Sequence, residues 1–204
     1  YRIKGKTTYA MEGSIFIAGA GVQWLRDKMK FFNKASETEK IIKSLDDNKN
    51  VYLVPAFSGL GAPHWNANAR GVLSGLTRDT GPKEIIRATV ESVAYQTYDL
   101  FEAMKHDGLK PILVKVDGGM VMNNWFSQFL SDIVNVEVLR PKVQETTALG
   151  AAFMAGLHIG IYKSLKDISK YWSPDKKFKP KMKNKNRSFY LSGWAKAVKR
   201  ALIS

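Results

Sequence analysis

Short apolar runs bounded by glycine or proline alternate along this chain with longer segments of helical periodicity. Residues 51–55 are typical of a buried strand, and residues 83–105 place apolar side chains on one helical stripe with Pro82 at the entrance. Further strands are predicted at residues 112–116 and 136–139, and further helices at residues 19–29, 123–133 and 148–158. Strands that alternate with helices predict a layered α/β domain.

Two patterns near the N-terminal end make more local predictions. Residues 7–11 combine β-branched and aromatic side chains, which favours a strand. Ser36 precedes an apolar pair and is followed three residues later by Glu39, which is the spacing of a capping box at a helix start.

Length and composition limit the classes of protein that this chain can represent. With 204 residues, 45% of them hydrophobic and 11% aromatic, the chain can bury a full core, and one large domain is expected. No apolar run approaches the roughly 18 residues of a membrane span, so no membrane partner is expected. The absence of cysteine excludes a disulfide scaffold and fits a reducing cytoplasm. The first residues carry neither an initiator methionine nor a secretory pattern, which indicates a chain that begins within a fold.

The net charge of +14 is concentrated at the C-terminal end. Residues 163–204 hold 13 Lys and Arg against 2 Asp, whereas the other residues are close to neutral. The densest stretch, residues 176–185, is interrupted by proline and low in complexity. Such a run is typical of a solvated connection, which implies no nucleic-acid partner. The alternative is a patch that binds polyanions with a steep salt dependence. We therefore expect one domain, residues 1–204, with a basic extension from about residue 163.

Two glycine–carboxamide pairs share one spacing. Gly119 ends a predicted strand-to-helix turn and Asn123 follows one helical turn later; Gly19 and Gln23 repeat this spacing near another helix start. Glycine lets a ligand approach the backbone, helix N-termini present free N–H groups to anions, and a carboxamide offers both a donor and an acceptor. The pairs fit a nucleotide site, but ordinary loop glycines with capping or surface amides produce the same pattern.

Other candidate residues carry less specific signals, and none is assigned as a catalytic residue or metal ligand. The three histidines have no spacing that makes a metal site. Asp117 follows an apolar strand, where it can meet a metal-bound phosphate or serve as a turn carboxylate. Glu91 lies inside the longest helix and is expected to be solvated or ion-paired. The arginines Arg70 and Arg78 suit either phosphate or partner carboxylates.

Several of these segments together resemble the FGGY family of carbohydrate kinases, and most closely its glycerol-phosphorylating branch. The resemblance is dense from about residue 9 to residue 160 and thin over the basic tail. It is carried by residues 9–14, 18–26, 54–65, 69–71, 86–97, 116–119, 123–124 and 145–152. Between residues 71 and 91, Gly75-Leu76, Glu84-Ile85 and Ala88-Thr89-Val90-Glu91 fit the family's second sequence pattern.

The resemblance implies an α/β, ribonuclease H-like and actin-like ATPase domain with a mixed sheet flanked by helices. It also implies that Gly19, Gln23, Gly119 and Asn123 contact the adenine nucleotide, ATP or ADP. The implied reaction is the Mg²⁺-dependent transfer of the γ-phosphoryl group of ATP to the 3-hydroxyl of glycerol in a cytoplasmic homodimer. Such transfers depend mainly on positioning and on charge stabilisation.

The motifs that are absent decide what this chain can do alone. The family's catalytic aspartate, its glycerol-binding residues and its phosphate loops belong to segments with no counterpart in this sequence. We therefore expect the nucleotide-binding half of a kinase, which in isolation binds adenine nucleotide weakly at best and does not phosphorylate glycerol. Three alternatives remain open: a kinase of the same family for another polyol or sugar, a basic polyanion-binding module, and a non-catalytic interaction domain that keeps only the fold.

Overall fold

The computed structural model describes residues 1–3 and 5–203, which form helices and short strands in α/β order. The strands are β1 (Arg2–Ile3), β2 (Lys6–Thr7), β3 (Tyr52–Val54), β4 (Val72–Ser74), β5 (Leu113–Lys115), β6 (Glu137–Pro141) and β7 (Pro174–Phe178). The helices are α1 (Gly19–Asp27), α2 (Glu37–Lys43), α3 (Pro82–His106), α4 (Asn124–Val134), α5 (Thr146–His158), α6 (Leu165–Ser169) and α7 (Asn184–Ile203), with a 3-10 helix at Gly119–Met122.

A mixed sheet of β5, β6 and β7 organises the C-terminal part of the fold. β5 runs parallel to β6, and β7 pairs antiparallel with the other edge of β6. A separate antiparallel pair, β3 and β4, packs against α7, and β3 also packs against α3. The predicted alternation of strands and helices is confirmed, and the sheet of β5–β7 is mixed, as the resemblance implied.

The long helix α3 lies at the centre of the core. It begins at Pro82, whose fixed φ suits a first helical position, and the Glu84 carboxylate accepts a hydrogen bond from Gly81 N (3.0 Å). Residues 86–96 are buried on every side of the helix. Helices α1, α2 and α4 pack against α3, so this one element fixes the relative positions of the segments that carry the predicted site.

Two of the local predictions near the N-terminal end were wrong. The strand expected at residues 7–11 is limited to Lys6–Thr7, and the residues that follow have no regular structure as far as Ser14. The helix start after Ser36 is confirmed, because α2 begins at Glu37, but the Ser36 side chain forms no cap. Its backbone is already helical (φ −63°, ψ −20°), whereas a capping residue needs an extended backbone to reach the free N–H groups.

The C-terminal segment joins the core instead of lying apart from it. In β7, Lys176 and Lys177 are exposed while Phe178 is buried beside β6. The apolar side of α7 is buried at Trp194, Val198 and two alanines. The Lys-rich stretch read as a solvated connection therefore begins as an edge strand of the sheet, with its charges on the outer side. The division of the chain at about residue 163 stays a prediction.

Trp194 anchors α7 to the central helix, and we expect its replacement by phenylalanine to be costly. Its ring stacks on Tyr95 (5.3 Å between centroids), and its indole N–H donates to the Asp99 carboxylate (2.7 Å). Trp194→Phe removes this hydrogen bond and leaves a small void, so the free energy of unfolding should fall by about 1–3 kcal/mol. Chemical denaturation measures this loss.

The matched control is Trp65→Phe, because the Trp65 side chain is 70% exposed. This change should alter the free energy of unfolding by less than about 0.5 kcal/mol. Equal effects of the two replacements would contradict the integration of α7 into the core.

Candidate functional site

A cavity of about 380 Å³ lies where α1, α2, α3 and the turn before α4 meet. The volume is within the range of small-molecule sites. It is lined by Gly19, Val22, Gln23, Arg26, Ala35, Ser36, Thr38, Glu39, Val90, Gly119, Met120, Met122 and Asn123. All four residues predicted from the two glycine–carboxamide pairs therefore line a single cavity, although the pairs are about 100 residues apart in the chain.

The first pair lies at the start of α1. The helix begins at Gly19, and Ala18 before it makes no side-chain cap, so the first N–H groups are not covered by a capping side chain. Gln23 lies one turn later and is exposed. Among the described residues its carboxamide forms no hydrogen bond, which leaves its donor and acceptor groups available to a ligand.

The second pair lies between β5 and α4. After the strand, Gly118 adopts a left-handed backbone (φ +85°), and a 3-10 helix begins at Gly119. Asn123 is not one turn inside a helix, as the spacing had indicated. It is the N-cap of α4, and its Oδ1 accepts a hydrogen bond from Phe126 N (2.9 Å). The 3-10 helix occupies the four residues from Gly119 to Met122, and α4 begins within one residue of the helix start predicted at residue 123.

The glycines of both pairs leave open space beside the backbone. A Cβ atom built on Gly19 or on Gly119 would meet no heavy atom within 4 Å. Packing within the chain therefore does not require glycine at either position. A ligand group that approaches the backbone closely is a physical reason for glycine there.

Another wall of the cavity comes from α2, which no sequence pattern indicated as part of the site. Thr38 is 4% exposed, and its Oγ1 lies 3.3 Å from the donating Nδ2 of Asn123. Glu39 Oε2 accepts a hydrogen bond from Asn124 N (3.1 Å). In the sequence, Thr38 and Glu39 gave only the signal of a helix start, and nothing local indicated contact with residues 85 positions away.

The charged groups around the cavity are paired. Arg26 forms two hydrogen bonds with Asp27 (2.6 and 2.9 Å). Burial acts to raise the pKa of Glu39, but hydrogen bonds from Lys43 (2.5 Å) and from Asn124 N outweigh burial and hold that pKa below its usual value. Glu39 is therefore a carboxylate at neutral pH. An anionic phosphate is better placed near the two glycines than near α2.

The remaining candidates do not join this cavity. Asp117 accepts a hydrogen bond from Thr146, so it links the glycine turn to the start of α5. Arg70 donates to the backbone carbonyls of Ala67 and Ala69 (2.9 Å each), where carboxylate partners had been expected. His64 lies 3.8 Å from Asp99 on the far side of α3.

Neither a metal-binding cluster nor a membrane-spanning helix is found in the part of the chain that the structure describes. In residues 1–3 and 5–203, no cluster of three or more His, Asp or Glu side chains is arranged to hold a metal ion. Within the same part of the chain, no helix has the length and hydropathy needed to cross a membrane.

Comparison with known proteins decides the family. The sequence pattern of the C-terminal domain of the FGGY family of carbohydrate kinases matches residues 2–159. The chain belongs to the FGGY family. The match includes all four predicted site residues and the whole of helices α1 to α5.

Individual FGGY relatives extend the similarity over the rest of the chain. Glycerol kinase 1 of Pseudomonas aeruginosa is 54% identical over 200 residues, which cover 98% of this chain and 40% of the relative. Glycerol kinase of Gluconobacter oxydans is 51% identical over 203 residues, which cover 99% of this chain and 40% of the relative. The chain thus spans about two fifths of the length of these FGGY kinases.

Solved FGGY structures show the same fold. Plasmodium falciparum glycerol kinase with ADP superposes with a TM-score of 0.84 at 40% identity, covering 93% of this chain and 38% of that one. A ligand-bound xylulose kinase from Lactobacillus acidophilus gives a TM-score of 0.78 at 25% identity, and the match covers 94% of this chain and 39% of that one. The actin-like ATPase fold implied by the motifs is therefore confirmed.

Proposed function

We propose that this chain is the nucleotide-binding portion of a glycerol kinase, which converts ATP and glycerol into ADP and glycerol 3-phosphate. The observation that carries the proposal is the convergence of Gly19, Gln23, Gly119 and Asn123 on one cavity. Two helix starts supply N–H groups beside open glycine backbone, and two carboxamides supply polar groups for a base or ribose.

Glycerol is favoured over other substrates by sequence similarity over the length of this chain. The relatives at 51–54% identity are named glycerol kinases, whereas the xylulose kinase and the gluconate kinase of Lactobacillus acidophilus are each 25% identical. A kinase for another polyol or sugar remains the alternative. Residues that would contact the alcohol are expected outside this chain.

Within this proposal, the chain binds and orients the nucleotide and supplies no catalytic base. Mg²⁺ enters as part of the nucleotide substrate, MgATP or MgADP. Its coordination by the nucleotide phosphates is part of this proposal. The intact enzyme is proposed to be a cytoplasmic homodimer.

The surface of α5 supports the proposal that further protein packs against this chain. The helix is rich in apolar residues, yet among its residues only Gly156 is buried. Met154 is 46% exposed, and Ile159 and Ile161 just beyond the helix are 69% and 67% exposed. A helix that is apolar on all sides is normally covered on all sides. The remainder of a glycerol kinase is the proposed cover.

A chimeric enzyme tests the proposed function. This chain would replace the corresponding two fifths of Pseudomonas aeruginosa glycerol kinase 1, to which it is 54% identical. We expect the chimera to phosphorylate glycerol in the presence of MgATP, and the isolated 204-residue chain to show no turnover. A coupled assay of ADP release measures both.

Gly119→Asp in the chimera is the matched variant, because it should raise the KM for ATP while leaving the KM for glycerol nearly unchanged. A folded chimera that does not phosphorylate glycerol but phosphorylates another polyol would favour the alternative substrate. Robust glycerol turnover by the isolated chain would contradict the assignment of catalysis to the remainder of the enzyme.

A further inference from the structure

Asn123 is held at both ends of its carboxamide. Its Oδ1 accepts a hydrogen bond from Phe126 N (2.9 Å), as an N-cap side chain does. Its Nδ2 donates to Thr38 Oγ1 (3.3 Å). The cap fixes which end of the amide is the oxygen, because a backbone N–H can only donate.

The hydroxyl of Thr38 can act only as an acceptor toward Asn123. Thr38 is buried, and its single hydroxyl hydrogen goes to the carbonyl of Ala35 (2.7 Å). Its oxygen therefore has only lone pairs left for Asn123, which must donate. The orientation of the Asn123 amide is thus determined from two sides, by its own helix and by α2.

A second contact makes α2 a support for the start of α4. Glu39, next to Thr38 in the chain, accepts a hydrogen bond from Asn124 N (3.1 Å), and Lys43 holds the same carboxylate through its other oxygen (2.5 Å). Adjacent residues of α2 therefore contact adjacent residues at the start of α4. Rotation of the Asn123 amide would break its hydrogen bond to Phe126 N or the one to Thr38.

We infer that Thr38 is a positioning residue for nucleotide binding, acting through Asn123. The inference rests on the proposed function of the cavity. Asn123 has two amide hydrogens, and among the described residues only Thr38 accepts from them. The second hydrogen is left as a donor at the cavity wall, suited to an acceptor atom of the base or ribose. Without the Thr38 hydroxyl, Asn123 Oδ1 still caps α4, but Nδ2 is no longer held in one orientation.

The test is calorimetric titration of MgADP into the full chain and its variants. Thr38→Val keeps the shape and removes the hydroxyl, and we expect the Kd to rise about tenfold. Thr38→Ser restores the hydroxyl and should bind within about twofold of the unchanged chain. Asn123→Asp keeps the cap but has no N–H to donate, so it should also bind about tenfold or more weakly.

The combination of Thr38→Val with Asn123→Asp separates positioning from general damage. If Thr38 acts through the Asn123 donor, the double variant binds as weakly as Asn123→Asp alone, within about twofold. Fully additive losses would overturn the inference, and so would unchanged binding by Thr38→Val or weak binding by Thr38→Ser. These results leave the proposed function intact. Absence of MgADP binding by the unchanged chain would instead overturn the proposed function, and this inference with it.

Discussion

Replacing Glu91 with alanine is expected to lower the free energy of unfolding by about 3–5 kcal/mol. Glu91 lies in the middle of α3 and is fully buried. Its carboxylate accepts hydrogen bonds from Arg87 Nε (2.8 Å), Tyr95 Oη (2.9 Å) and Asn48 Nδ2 (3.0 Å). Alanine would leave all three donors without this partner in the centre of the core.

The charge of Arg87 accounts for most of this expected loss. Arg87 is 4% exposed and its other contacts are neutral, a hydrogen bond to the carbonyl of Leu45 (2.8 Å) and the ring of Trp125 (5.1 Å). Burial raises the pKa of Glu91 above its usual value, although Arg87 and the hydrogen-bond donors oppose this shift. Removing the carboxylate leaves a buried cation without its counter-charge, which costs more than the lost hydrogen bonds.

Chemical denaturation of two further variants checks this explanation. Glu91→Gln keeps the side-chain volume and removes the charge, so the free energy of unfolding should fall by about 1.5–3 kcal/mol. Glu102 is a glutamate of the same helix whose side chain is 43% exposed. Glu102→Ala removes a surface ion pair with Lys105, so the free energy of unfolding should fall by less than about 1 kcal/mol. Similar losses for Glu91→Ala and Glu102→Ala would show that the buried network does not stabilise the core.

The sequence was most informative where a single element carries the signal. The periodicity of apolar residues and the position of Pro82 predicted α3 within one residue at either end. The shared spacing of the two glycine–carboxamide pairs, together with the family resemblance, indicated four residues that line one cavity. In both cases the determining interactions are local or depend on a helix start, and these leave a pattern in the sequence.

Features that depend on packing between distant segments could not be predicted in this way. Thr38 contacts Asn123 only because α2 and α4 both pack against α3. The strand at Pro174–Phe178 forms because β6 offers an open edge, whereas its own lysines favour solvent. The buried network of Glu91 likewise includes Asn48 from a distant segment, whereas its position in a helical pattern left both a solvated and an ion-paired role open.

Gly119→Asp should abolish nucleotide binding while leaving the fold intact. A side chain at Gly119 meets nothing within 4 Å, so aspartate fits the unliganded chain. Its carboxylate would lie at the start of the 3-10 helix, where we propose that phosphate binds. Like charges in close contact cost several kcal/mol, so we expect MgADP binding to weaken at least about 100-fold.

Gly150→Asp is the matched control. Gly150 also has open space around a built Cβ, and it does not line the cavity. This variant adds the same charge on α5, and it should bind MgADP within about twofold of the unchanged chain. Thermal unfolding of both variants shows whether either change damages the fold.

The most direct test of the central claim is calorimetric titration of MgADP into the unchanged chain and into Gly119→Asp. Saturable binding by the unchanged chain that is lost in the equally stable variant is the predicted result, and it would place the nucleotide at the cavity between α1, α2 and the start of α4. Equal binding by both proteins would contradict that location. No binding by the folded, unchanged chain would contradict the claim that this chain holds a nucleotide by itself.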